Sequence, residues 1–413
     1  MLKGNLMFGQ SGGPTSVINC SAAGVFIEAL QHEDRIEKVY GAHHGIVGIL
    51  EEDFFDMGQE DKDELLLLKQ TPSSALGSCR YKLADPDKDD TDYRRILEVF
   101  KKYNIRYFFY NGGNDSMDTC NKISKFIQNN GYECKVIGVP KTIDNDLFGT
   151  DFCPGFPSAA RYIATTMMEV YCDSIVYANG QITIVEIMGR NAGWLTAASV
   201  LAADKGYGPD LIYLPEVEFD LDRFMSDVKR IYEQKGKVLV AISEGVQTKD
   251  GKFIPELVGE VKTDAFGHKQ MGGSAAVLKS YIEDHIDTKV RGIELSLMQR
   301  CAAHLASELD VESTFAAGRE AVKAALNDET DVMIAFSVKS SDKPEVELVH
   351  VPLEKAANTE RKVPLEWINA DKNFVTKDFV DYCLPLIQGK TERKLEDSLP
   401  RFAKLKFVQA GKK

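Results

Sequence analysis

The segment Gly138–Asp146 reads Gly-Val-Pro-Lys-Thr-Ile-Asp-Asn-Asp and follows an apolar run. Lys141, Thr142, Asp144, Asn145 and Asp146 place a cation, a hydroxyl, two carboxylates and an amide in one short stretch. Such a set can steady an anion, hold a divalent ion and accept a proton. Asn111-Gly112-Gly113-Asn114-Asp115-Ser116 adds another amide and carboxylate behind a glycine pair. Together Asn114, Asp115, Asp144 and Asp146 can supply one Mg²⁺ site and one base. Mg²⁺ takes a few carboxylate or amide oxygens and leaves its other positions to phosphate oxygens and water. Lys141 is a point charge for phosphoryl oxygens, and Met188-Gly189-Arg190, Arg291 and Arg300 offer guanidinium groups to a second anionic end. These residue types favour phosphoryl transfer to a hydroxyl over a non-catalytic phosphate-binding module. Each carboxylate also has a plain alternative, Asp144 as a turn residue and Asp146 as a helix cap.

Such side chains need rigid elements to hold them. Asn5–Phe8, Ile105–Tyr110 and Lys135–Val139 read as strands, and a glycine-rich or polar loop follows each. Gly9–Thr15 is the first of these loops; it matches neither dinucleotide-binding nor Walker spacing, and a helix with Ile18, Ala22, Val25 and Ala29 on one face follows it. Further strands are expected at Ile182–Ile187, Leu211–Leu214, Lys237–Ile242, Arg291–Arg300 and Asp331–Phe336, with helices between them. Glu51–Lys69 reads as surface loop and helix, and Leu76-Gly77-Ser78-Cys79-Arg80 as a small-residue turn carrying one arginine. The repeated strand–helix order predicts an α/β protein with parallel-type sheets in two lobes, where ligands sit beyond the strands' C-terminal ends. The expected division is 1–148, 149–340 and a C-terminal extension 341–413, with the chain crossing back between lobes around 260–310. The basic tail (Arg401, Lys404, Lys406, Lys412, Lys413) is expected to be partly disordered.

A chain of 413 residues can bury a large core. A formal charge of −13 argues against a general nucleic-acid or anionic-membrane binder. The eight cysteines show no CxxC pair, which suits reduced cytosolic thiols. No signal-peptide layout and no bilayer-length apolar run are visible, so a cytoplasmic location is expected.

Gly112–Ser116, Pro140–Asp146 and Glu186–Arg190 together resemble the phosphofructokinase family, over a stretch from the first glycine loop to about residue 340. The tail beyond it is similar to the longer, pyrophosphate-dependent members. The resemblance implies two α/β lobes, a phosphoryl donor on the first and a sugar phosphate on the second. It implies that Gly13 and Gly113 lie against the donor, that Asn114 and Asp146 hold Mg²⁺, and that Asp144 draws the proton from the sugar 1-hydroxyl. Thr142 and Ile143 position the reacting groups, Met188, Gly189, Arg190 and Glu244 hold the sugar, and Arg291 and Arg300 hold its 6-phosphate. It also implies a homodimer or homotetramer with shared sites.

Asp115 and Lys141 bear on the donor, because ATP-using relatives carry glycine at both positions. A carboxylate at 115 stands where an α-phosphate and ribose must pass. Like charges ~4 Å apart at an effective dielectric near 20 repel by about 4 kcal/mol. Lys141 adds a cation for the more charge-dense pyrophosphate, so the expected reaction is reversible transfer from pyrophosphate to fructose 6-phosphate. The sugar side departs from the family: Gln181 replaces an arginine, Leu297 a histidine or tyrosine, and Cys301-Ala302 the usual glycine pair. His268 and Lys269 are substitute cations, and sedoheptulose 7-phosphate is an alternative acceptor. ATP as donor, a diacylglycerol- or NAD-kinase relative, and a regulatory phosphate-binding subunit are the other readings.

Overall fold

The computed structural model describes residues 2–176, 178, 180–258, 273–339, 344–357 and 359–411. His268 and Lys269 lie outside them. The chain divides into two compact units: residues 1–158, 300–360 and 388–413 form unit 1, and residues 159–299 and 361–387 form unit 2.

Strands of the two units are numbered in chain order: β1 Gly4–Gln10, β2 Ile36–Ala42, β3 Phe54–Asp56, β4 Ile105–Gly112, β5 Lys135–Pro140, β6 Gln181–Ile187, β7 Leu211–Tyr213, β8 Val238–Ser243, β9 Lys289–Glu294, β10 Val332–Val338 and β11 Val346–Pro352. Unit 1 holds a seven-stranded sheet in the order β11-β10-β5-β4-β1-β2-β3. Its central strands run parallel, while β3 and β11 close the edges antiparallel. β1 and β4 are buried almost throughout, as expected for parallel strands covered on both faces. Leaving β1, the chain goes to β2 on one side and later to β4 on the other, so the direction of winding reverses at β1. Crevices at such reversals, outside the strands' C-terminal ends, bind ligands in open α/β sheets. The register Gln10↔Asn111 and Gly112↔Pro140 sets the three polar loops side by side at that edge.

Unit 2 holds a four-stranded sheet, β7-β8-β6-β9, with every pairing parallel. Its core packs Ile182, Ile184, Val240 and Ile242 against Phe224, Val228 and Leu278.

The fold departs from the sequence expectations at several places. Phe54–Asp56, read as loop and helix, pairs with β2, because Phe54 and Phe55 bury their rings there. Arg291–Arg300 is not one strand. β9 stops at Glu294, opposite Glu186, and after a turn at Ser296 (φ +44°) a helical turn covers Met298–Cys301. The helical connection expected between Ile182–Ile187 and Leu211–Leu214 divides into Trp194–Ala197 and Val200–Asp204.

Residues 341–413 do not form an appended extension. β11 completes the large sheet, and Trp367, Phe379 and Tyr382 pack around Trp194 in unit 2. The basic tail is ordered through residue 411 by carboxylates: Glu64 accepts the backbone N–H of Lys404 (2.6 Å), Glu60 those of Lys406 and Phe407 (2.7 and 2.8 Å). Val408 and Ala410 extend the pairing on β3.

Candidate active site

In unit 1 the glycine loop leaves β1 at Ser11. Gly12 is left-handed (φ +74°), and a Cβ there would stand 3.0 Å from the Lys141 Nζ. Glycine is needed at this position both for the turn and for the ammonium beside it. A Cβ on Gly13 would lie 3.3 Å from a terminal nitrogen of Arg300. The loop is tied to the segment carrying Arg80: Ser78 Oγ donates to the Gly12 carbonyl (2.6 Å) and the Gly12 N–H to the Cys79 carbonyl (3.1 Å).

Lys141 leaves β5 with its backbone N–H on the Gly112 carbonyl (2.9 Å), and its side chain is buried (3% exposed). Burial lowers its pKa to about 8. Asp144 and Asp146 pull the other way, and Arg300 and Arg80 push it further down. Burial and then Arg80 also lower the Arg300 pKa. Three cations from three segments therefore share one glycine loop. Arg80 was visible in the sequence only as the arginine of a small-residue turn; nothing in its spacing linked it to Lys141.

Beyond Lys141, the Thr142 Oγ accepts the Asp144 N–H (3.1 Å), and Asn145, left-handed at φ +56°, accepts the Cys153 N–H on Oδ1 (2.8 Å). This turn leaves Asp144 exposed and Ile143 buried. Asp146 accepts the Asn114 Nδ2 amide (3.0 Å), and its carboxyl is pushed up to about 7 by burial, with Asp144 and Glu360 adding to the rise. The Asn114 Oδ1 is buried and has no partner among the described residues. A carboxylate beside an orphaned amide oxygen fits Mg²⁺, which needs few protein ligands when phosphate supplies the rest. Gly113 caps the helix Asn114–Asn129 without a side-chain bond, so its first turn presents backbone N–H groups at that end. Asp115, exposed, lies in the same turn.

In unit 2 the loop after β6 is held by backbone bonds. Met188 N–H donates to Gln299 Oε1 (3.1 Å), Gly189 N–H to Glu244 Oε1 (3.4 Å), and Gly193 N–H to Glu216 (2.8 Å). Gly189 has φ +143°, and a Cβ on it would meet the Ala192 carbonyl at 2.6 Å. Met188, Gly189, Arg190 and Glu244 thus gather at the C-terminal end of β6 and β8. Arg291 lies on β9 within unit 2 and pairs with Asp173 (3.4 Å), whereas Arg300 belongs to unit 1. Gln181 opens β6 at its other end, buried, with its Nε2 on Thr183 (3.3 Å). Leu297 is exposed, and Cys301, like the other seven cysteines, is not in a disulfide. Among the described residues no helix is long and apolar enough to cross a membrane.

The phosphofructokinase family model matches residues 5–324. A pyrophosphate–fructose 6-phosphate 1-phosphotransferase of Halomonas elongata is 42% identical over 409 residues, spanning 98% of this chain and 97% of its own. A protein of the same name from Methylococcus capsulatus is 42% identical over 413 residues, spanning 99% and 97%. The crystal structure of a pyrophosphate-dependent phosphofructokinase from Nitrosospira multiformis matches with a TM-score of 0.90 at 38% identity, covering 100% of this chain and 98% of that one.

Proposed function

Since this chain belongs to the phosphofructokinase family, we propose that it transfers a phosphoryl group reversibly between pyrophosphate and the 1-hydroxyl of fructose 6-phosphate. The observation that carries this reading is the buried Lys141 ammonium against Gly12, in a loop cluster that also bears Asp115. The full-length relatives named for pyrophosphate support it.

Asp144 takes the proton of the sugar 1-hydroxyl as that oxygen bonds to phosphorus. The bond to the bridging oxygen of pyrophosphate breaks, and inorganic phosphate leaves. Phosphoryl transfer asks mainly for alignment and neutralisation of charge. Lys141, Arg80 and Arg300 supply the positive side chains, and the uncapped helix end at Gly113 adds N–H donors. Asn114 and Asp146 would hold Mg²⁺, which neutralises phosphate oxygens when bound. Thr142 and Ile143 fix the turn that presents Asp144. Met188, Gly189, Arg190 and Glu244 are assigned to the sugar and Arg291 to a phosphate; Arg300 lies beside the glycine loop, where the transferring phosphoryl group is its more direct partner. Asp115 disfavours a nucleotide donor by charge repulsion. The protein acts in the cytoplasm as a homodimer or homotetramer, a state that light scattering of the purified chain measures.

The test is a matrix of donors and acceptors. With Mg²⁺, fructose 6-phosphate should be phosphorylated from pyrophosphate and scarcely from ATP; comparable ATP turnover overturns the donor assignment. Sedoheptulose 7-phosphate is kept as a second acceptor, because Gln181 brings no cation where relatives have arginine. A higher kcat/KM for the seven-carbon sugar would make it the principal one.

A further inference from the structure

Unit 1 contains a cavity of 510 Å³ that shares no residue with the site assigned to phosphoryl transfer. Its wall combines Ser16, the turn around Lys69, the start of the helix Glu308–Leu326 and a C-terminal segment at 390–393. The volume lies in the range of small-molecule sites and accommodates a compound of sugar-phosphate size.

The cations on this wall are not equivalent. Lys69 is already engaged by Glu312 (2.7 Å) and lies over the Phe315 ring at 4.6 Å. Arg393 is half-buried, and loss of water lowers its pKa. Among the described residues, neither Arg393 nor Lys390 makes a hydrogen bond or an ion pair. A guanidinium drawn partly out of water without a partner is unfavourable, and a bidentate oxyanion is its best-matched remedy.

The segment carrying Arg393 is fixed before any ligand arrives. Gln70 Nε2 donates to the carbonyls of Lys394 (3.0 Å) and Arg401 (2.5 Å), and the Lys394 N–H donates back to Gln70 Oε1 (2.9 Å). At the other end Ser307 Oγ donates to the Gln388 carbonyl (3.2 Å). A segment pinned at both ends loses little further freedom on binding, so its cation is pre-organised. Ser16, Thr391 and the Glu308 carboxylate add groups on the same wall that suit hydroxyls.

We propose that this cavity is a second ligand site, which takes a small hydroxylated oxyanion, a phosphate ester or a carboxylate, through Arg393 and Lys390. Ser16 follows the glycine loop closely and Ala303, also on the wall, closely follows Arg300. Occupancy therefore touches the chain just beyond two segments of the transfer site.

Binding to the full chain, read by calorimetry, tests this without reference to turnover. Glycerol 3-phosphate and glycerate are the probes, one with a phosphate and no carboxylate, the other the reverse. At least one should bind at one equivalent per chain, and which one does identifies the oxyanion. R393Q should weaken that binding about tenfold or more, the size of one lost charge-assisted contact. K390Q, at an exposed position, should weaken it in the same direction, and R80Q should leave it unchanged. The melting temperature of R393Q monitors folding; if it fails to fold, K390Q decides. The proposal is overturned if neither probe binds up to about 10 mM, if binding survives both R393Q and K390Q, or if R80Q abolishes it.

Discussion

In unit 2 the carboxylates beside the loops are occupied by backbone. Glu244 accepts the Gly189 N–H, Glu216 those of Gly193 and Val363, and Glu186 that of Ala275. In unit 1 the equivalent edge is built otherwise. Asp146 meets an amide whose own oxygen has no partner among the described residues, Asp144 stands exposed, and Lys141 is buried as a cation. The acids of unit 2 shape its loops, although Glu216 Oε2 is itself buried with no partner among the described residues; in unit 1 an orphaned amide oxygen stands beside a carboxylate, the pairing that suits a cation. A buried group without its partner is costly, and such costs concentrate where function requires them.

The strongest way to break this contrast is Asp144→Asn. If the exposed carboxylate is the base, kcat should fall about 10³-fold while sugar binding, measured by equilibrium titration, persists. Loss of both together would make Asp144 a structural acid like those of unit 2.

Next in size is the pair Asp115→Gly with Lys141→Gly. The kcat/KM for pyrophosphate should fall about 100-fold through loss of a charged contact, and that for ATP should rise. No rise with ATP would show that other residues exclude the adenosine.

The ammonium of Lys141 also gives a pH signature. It is charged below about 8 and neutral above, so the KM for pyrophosphate should climb about tenfold per unit once pH passes that value. Lys141→Arg, which stays charged, should flatten the climb.

The smallest effect belongs to unit 2. Burial pushes the Glu186 carboxyl up to about 7 from 4.5. A raised folded pKa means that its contribution to stability is present below about 4.5 and is lost as pH rises through about 7. Urea unfolding should show stability falling across that window. Glu186→Gln should flatten the fall and leave donor preference unchanged.

Much of the molecule was legible in the chain. Ile105–Tyr110 is apolar on both faces and had to be an interior strand. The three polar loops stood at strand ends, and Lys141, Asp144, Asn114 and Asp146 had types suited to phosphate and Mg²⁺. Phe54–Asp56 was missed because a three-residue edge strand has no period to detect. The ordered tail was missed because its bonds run from backbone N–H groups to Glu60 and Glu64, far away in sequence. Trp367 and Tyr382 gave no hint that they would pack on Trp194.

By itself, then, the sequence determined the alternation of strand and helix and the supply of cations and carboxylates, since hydrophobic periodicity and residue chemistry are local properties. Tertiary structure alone decided their company. It set Arg80 and Arg300 around the glycine loop with Lys141 and moved Lys141 to about 8 by burying it. It also left Asn114 Oδ1 without a partner among the described residues and held Arg393 over a cavity. Each of these depends on which distant segments exclude water from a charge, and separation along the chain carries no record of that.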